Sequence, residues 1–180
     1  MRHTRLKTTS IKQHPLLNEK WVQGIIAEDP SILGLGDLVL KDKERIQPTG
    51  GRLDLLFQEV EGSTRYELEL QLGATDETHI IRTIEYWDIE RRRYPQYDHV
   101  AVLVAENVTT RFLNVIALFN GFIPIIVLQL TAIETEQGIG LHFTKVVDAL
   151  RLGLIDDDES GADGSGLLGS TRYAEIRDAG

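Results

Sequence analysis

Asp54, Glu67, Glu69 and Gln71 are the residues of this chain whose types and spacing point to chemistry. Asp54 is the one acid in an apolar run, and the other three alternate with Leu68, Leu70 and Leu72. Strand side chains alternate between faces, so Glu67, Glu69 and Gln71 share one. A turn at Glu61-Gly62-Ser63-Thr64 sets Asp54 opposite Gln71, Leu56 opposite Glu69 and Gln58 opposite Glu67. Asp54 and Glu69 are then diagonal neighbours on one face, about 7–8 Å apart. Two carboxylates so placed suit one divalent cation between them, with Gln71 beside it. A rival register uses Glu67 and Glu69 as an E-x-E pair. An alternating hairpin is also what a half-solvated sheet without a site looks like.

The elements around this hairpin must position the acids. Asn18 is a good N-cap for NEKWVQGIIAEDP, where Trp21, Val22, Ile25 and Ile26 recur at helical spacing. Asp29-Pro30 ends that helix, and Ser31 to Gly34 allows one further turn. Asp37 to Gln47 reads as a strand, followed by a loop with Gly50 and Gly51. The hairpin occupies about 52–60 and 65–72. A helix follows from about Glu77 to Arg93, capped by Thr75 or Asp76, with Ile80, Ile81, Ile84, Trp87 and Ile89 as its apolar face. His99 to Glu106 and Pro124 to Leu130 are buried-strand candidates, separated by a helix ending at Phe119. Leu141 to Leu150 reads as an edge strand or a short closing helix. The order predicts an α/β fold, a mixed central sheet flanked by helices on both faces. Carboxylates under such a helix need a positive partner, a metal or an arginine such as Arg82.

The chain has 180 residues, 42% hydrophobic and 26% charged, enough for one globular domain. It divides into a basic N-terminal arm at 1–17, a domain at 18–150, and an acidic, glycine-rich tail or linker at 151–180. That last stretch carries seven acids and three arginines. It reads as a flexible tail, an acidic DNA mimic, or a connection to a further domain or partner. The net charge of -9 argues against a generally basic nucleic-acid binder. There is no cysteine, which excludes disulfides and thiolate zinc sites and suits a reducing cytoplasm. The five histidines show no metal-ligand spacing. No apolar run is long enough to span a membrane.

With Glu19 in NEKWVQGIIAEDPSILG, Asp54 in GRLDLLF, Glu69 in ELQLG, and HIIRTIEYW following, the ordered set resembles the PD-(D/E)XK nuclease superfamily. RecB-like and NucS-type nuclease domains are the closest in pattern, over about Leu17 to Leu130. The resemblance implies a restriction-endonuclease-like core of helix, three strands, helix and strand. It implies Asp54 and Glu69 as ligands of Mg2+ (or Mn2+), with a metal-activated water hydrolysing DNA phosphodiester bonds. Glu19 matches the auxiliary acid that orients water. Gln71 stands where the family usually has lysine, offering hydrogen bonds where lysine offers charge. The implied partners are DNA and, as in NucS-type proteins, a second copy in a homodimer. The alternative is a catalytically silent domain of this fold that binds nucleic acid or protein.

Further residues are offered to DNA. His79, Arg82 and Tyr86 lie at helical spacing on the helix after Glu69, and in the resembled family this helix faces the site. There His79 and Arg82 would contact phosphate or orient Glu69. Arg82 pairing with Glu85 or Asp76 is the structural alternative. Arg91, Arg92 and Arg93 beside Tyr94 suit phosphate binding and base stacking, but equally complement a helix C-terminus. Arg52 and Arg65, near the hairpin ends, are further phosphate candidates.

Overall fold

A computed structural model describes residues 5–48 and 50–150 of the chain. The tail reading for 151–180 lies outside these residues. The elements run β1 (Lys7–Thr9), α1 (Glu19–Glu28), a 3-10 turn at Pro30–Leu33, β2 (Leu38–Ile46), β3 (Arg52–Glu59), β4 (Thr64–Ala74), α2 (Glu77–Arg93), β5 (Asp98–Asn107), α3 (Thr110–Phe119), β6 (Ile125–Thr135) and β7 (Gly138–Val147). Helix, three strands, helix, strand is thus the order from α1 to β5, as the resemblance implies. Asn18 caps α1 by accepting the Trp21 N–H, and Asp76 caps α2 by accepting the His79 N–H.

The sheet order is β1-β6-β5-β4-β3-β2, with β7 on the other side of β6. Strands β4, β5 and β6 are parallel and the other pairings antiparallel, so the sheet is mixed. Alternation sorts its side chains between two cores. Leu55, Phe57, Leu68 and Leu70 pack with Val22 and Ile26 of α1 on one face. Ala101, Leu103 and Val127 pack with Ile80 and Trp87 of α2 and Ile116 of α3 on the other. Helices therefore cover both faces, and burial of these aliphatic faces supplies the main driving force for folding.

Two expectations need correction. The N-terminal arm is not all a loose entry: Lys7 to Thr9 pair with Glu134 to Ala132 of β6, and Ile11 is fully buried in the α1-side core. Of the two readings for the segment after Gly138, the edge strand holds: β7 pairs with β6. On α2, Ile81 is 64% exposed, because the helix turns Ile80, Ile84, Tyr86, Trp87 and Ile89 toward the sheet and Ile81 away from it.

The hairpin register also differs. Leu55 pairs with Leu68, Leu56 with Glu67, Phe57 with Tyr66 and Gln58 with Arg65. Thr64 belongs to the strand, so the turn is centred one residue earlier and the pairing moves by two. An even shift keeps every side chain on its face. It brings Asp54 level with Glu69, where a diagonal was expected, and sets Glu67 opposite Leu56.

Candidate metal and nuclease site

The hairpin ladder stops at Leu55 and Leu68, and beyond it the two strands part company. Strand β3 continues beside β2, with Leu53 opposite Arg45. Strand β4 continues beside β5, with Glu69 opposite Leu103 and Gln71 opposite Ala105. Side chains bridge the resulting fork. Leu70 N–H donates to Asp54 Oδ2 at 2.8 Å, and Asp54 N–H donates to Glu69 Oε1 at 3.2 Å. Each acid thus satisfies a backbone donor that the parted strands leave behind.

Both acids are nearly inaccessible, Asp54 at 8% and Glu69 at 1% exposure. Burial is the main reason their pKa values rise, Asp54 to about 6 and Glu69 to about 8. For Glu69 the neighbouring Asp54 charge adds to the rise. Glu19, at the start of α1, is also raised by burial, and its charge acts on both Asp54 and Glu69. Three acids from three elements therefore share one field.

Arg82 is the counter-charge. Its Nη2 lies 3.2 Å from Glu69 Oε2, close enough for an ion pair but not aligned as a hydrogen bond, since that oxygen accepts none. Its Nε donates to the Tyr86 hydroxyl at 3.2 Å. The partner of Arg82 is thus Glu69, rather than Glu85 or Asp76. Tyr86, at the helical spacing of His79 and Arg82, is 2% exposed and packs on Leu53 and Leu56. Gly51 makes room for it, because a Cβ there would collide with the Tyr86 hydroxyl.

Glu19, Asp54, Arg82 and Tyr86 line a cleft of about 640 Å³ together with Lys20, Gln23 and Arg52, and Glu69 lies buried behind it. Gln23 was missed in the sequence. It lies one helical turn from Glu19 and is 2% exposed, with a buried Oε1 that accepts no hydrogen bond. The i, i+4 spacing from Glu19 was the available signal. Asp76, the cap of α2, also binds Gln71: Gln71 Nε2 donates to Asp76 Oδ2 at 2.9 Å, and Asp76 N–H donates to Gln71 Oε1 at 3.2 Å. Gln71 therefore spends both ends of its amide on the start of α2.

The remaining candidates are placed otherwise. Glu67 is fully buried and pairs with His99 at 2.7 Å. Arg65 is 8% exposed and stacked on Tyr97 and Tyr94, 3.7 and 4.6 Å from the ring centroids, so it is not a surface phosphate contact. Arg91 and Arg92 both pair with Asp88, and Arg93 pairs with the buried Glu90. Arg52 is exposed, with Glu44 at 3.6 Å. His79 bonds Asp76 through its ring.

Among the described residues, no three Asp, Glu or His side chains converge as a ready-made metal cage. The donor set nonetheless fits a hard divalent cation of the magnesium type. It offers two carboxylates, one with the buried and unbonded Glu69 Oε2, and magnesium commonly takes one or two carboxylates while keeping several waters.

No family model matches the chain, and no curated protein matches it in sequence. Two solved structures resemble it. One is an EndoMS–dsDNA2 complex, 23% identical over 54% of this chain and 40% of that one, with a TM-score of 0.46. The other is a repair endonuclease from Pyrococcus abyssi, 19% identical over 58% of this chain and 45% of that one, with a TM-score of 0.49. The matched region spans less than half the length of either solved chain.

Proposed function

We propose that this chain is a metal-dependent DNA nuclease of the PD-(D/E)XK type, hydrolysing phosphodiester bonds with Mg2+ or Mn2+ held by Asp54 and Glu69. The observation that carries this reading is the fork between β3 and β4. Two buried carboxylates meet there, both with raised pKa values and both open to Glu19. Keeping such a pair charged is costly without a cation. Bound there, a divalent ion supplies Lewis acidity and offsets charge on the phosphate.

The chain's own residues have separable tasks. Asp54 and Glu69 hold the ion, and Glu19 orients water from the α1 side. Arg82 lies beside Glu69, where a guanidinium suits a phosphate oxygen. Lys20 and Arg52, on the cleft lip, guide the DNA backbone. A homodimer and a partner reached through the tail belong to the same reading.

A second reading, a catalytically silent module, draws on Gln71. Its amide is fully engaged by Asp76 and brings no charge. One experiment separates the two. Manganese binding is measured by calorimetry, and cleavage is assayed on single-stranded, duplex and branched DNA. The nuclease reading expects binding lost in Asp54→Ala, and metal-dependent cleavage lost in Asp54→Ala and Glu69→Ala. Failure of the wild type to cut any of these substrates with either ion leaves the silent module.

A further inference from the structure

One carboxylate ties Gln71 to His79. Asp76 Oδ2 accepts from Gln71 Nε2 at 2.9 Å. Asp76 Oδ1 accepts the His79 backbone N–H at 3.0 Å and lies 2.9 Å from His79 Nδ1. The contact with His79 holds the Asp76 carboxyl below its ordinary range, so it is an acceptor only. Nδ1 of His79 therefore carries the hydrogen, and in the neutral ring Nε2 holds the lone pair. The ring is 23% exposed and lies within electrostatic reach of Asp54 on β3 and Glu19 on α1. Asp76 is the acid in contact with the ring, and Arg82, whose Nη2 lies 3.2 Å from Glu69 Oε2, follows one turn further along the same helix.

We propose that His79 is the proton acceptor for the attacking water, with Asp76 and Gln71 as its positioning residues. This rests on the nuclease reading above. In the step, the water oxygen bonds to phosphorus and one water proton passes to His79 Nε2. The bond from phosphorus to the departing sugar oxygen breaks, and that oxygen takes a proton from solvent. No oxidant or further reactant is needed. Gln71 contributes no charge to the reaction. It contributes geometry, holding the acid that holds the base, as an outer residue orients a histidine in other sites.

The test uses the full chain and two readouts. In metal-free protein, long-range proton–nitrogen NMR, assigned with His79→Ala, should show His79 as the Nδ1–H tautomer. Asp76→Ser keeps an N-cap hydroxyl but cannot hold the ring, and should convert that signal to a tautomer mixture. With manganese and duplex DNA, His79→Ala should lower kcat by about 10²–10⁴-fold. Added imidazole should restore about tenfold of that loss, which a merely structural role would not permit. Gln71→Leu should lower kcat less and leave manganese binding intact. An Nε2–H tautomer in the wild type overturns the proposal. So does His79→Ala activity within about threefold of an active wild type, or no imidazole rescue. A wild type that cuts no DNA overturns the nuclease reading, and this proposal with it.

Discussion

Asp54 and Glu69 each accept a backbone N–H from across the fork: Asp54 from Leu70 at 2.8 Å, and Glu69 from Asp54 itself at 3.2 Å. The pair that would hold a cation is therefore also the pair that closes the gap between β3 and β4. Stability and chemistry are coupled through the same two carboxylates.

That coupling sets a pH dependence. The Asp54 pKa is raised from 3.8 to about 6 and the Glu69 pKa from 4.5 to about 8. A carboxyl whose folded pKa is raised contributes stability below its unfolded pKa and loses it as pH rises through the folded value. The metal-free protein should thus lose stability from this pair between about pH 4 and pH 8. Thermal melts of wild type and the Asp54→Asn/Glu69→Gln double variant should show the loss in the wild type and a flatter profile in the variant. Manganese should raise Tm more at the alkaline end, by an amount set by concentration over Kd, about 2.7 kcal/mol at a hundredfold excess. Parallel profiles for the two proteins would remove the basis of this prediction.

Arg82 offsets part of the cost of burying an ionised Glu69, so its loss should be felt most when Glu69 is ionised. Arg82→Gln should cost about 1–3 kcal/mol near pH 8 and much less near pH 5. Urea titrations at the two pH values measure the difference. An equal cost at both would show that packing on Tyr86, not charge, is what Arg82 contributes.

Gly51 is required by Tyr86. Gly51→Ala places a methyl against the Tyr86 hydroxyl and ring, and such overpacking costs about 1–3 kcal/mol. Tyr86→Phe removes the nearest atom and should recover part of that loss in the double variant. Additive costs in denaturant melts would contradict the contact.

The arginine run should divide by partner rather than by sequence. Arg92 is exposed and paired with Asp88, so Arg92→Ala should change stability by less than about 0.5 kcal/mol. Glu90 is fully buried and held by Arg45 at 2.9 Å and Arg93 at 3.0 Å. Arg45→Ala should therefore cost about 2–4 kcal/mol, because it strips a buried charge of its better-shielded partner. Chemical denaturation of the two variants distinguishes them.

Much of the fold was legible because it rests on local rules. The caps Asn18 and Asp76, the proline after Asp29, and the span Glu77–Arg93 follow from neighbours in sequence. The alternation of Glu67, Glu69 and Gln71 put them on one face, and that survived a two-residue error in register. The register itself was missed because Thr64 suits strand and turn alike, and no local rule chose between them. The strand at Lys7 was missed because three residues carry too little periodicity, and their partner Glu134 lies 127 positions away.

The sequence alone determined which residues lie on which element and face: Asp54 and Glu69 on a hairpin, Glu19 at a helix start, and His79 and Arg82 on the following helix. Strand alternation and helix spacing are short-range properties. Only the tertiary structure decided which of them meet. It parted β3 from β4 beyond Leu55, because β2 and β5 pair with each strand separately. It assigned Arg82 to Glu69 and Gln71 to Asp76, and it withdrew Glu67 and Arg65 into buried partnerships of their own. Pairing of buried charge depends on distance in space and on exclusion of water, and neither is written in the spacing of residues along the chain.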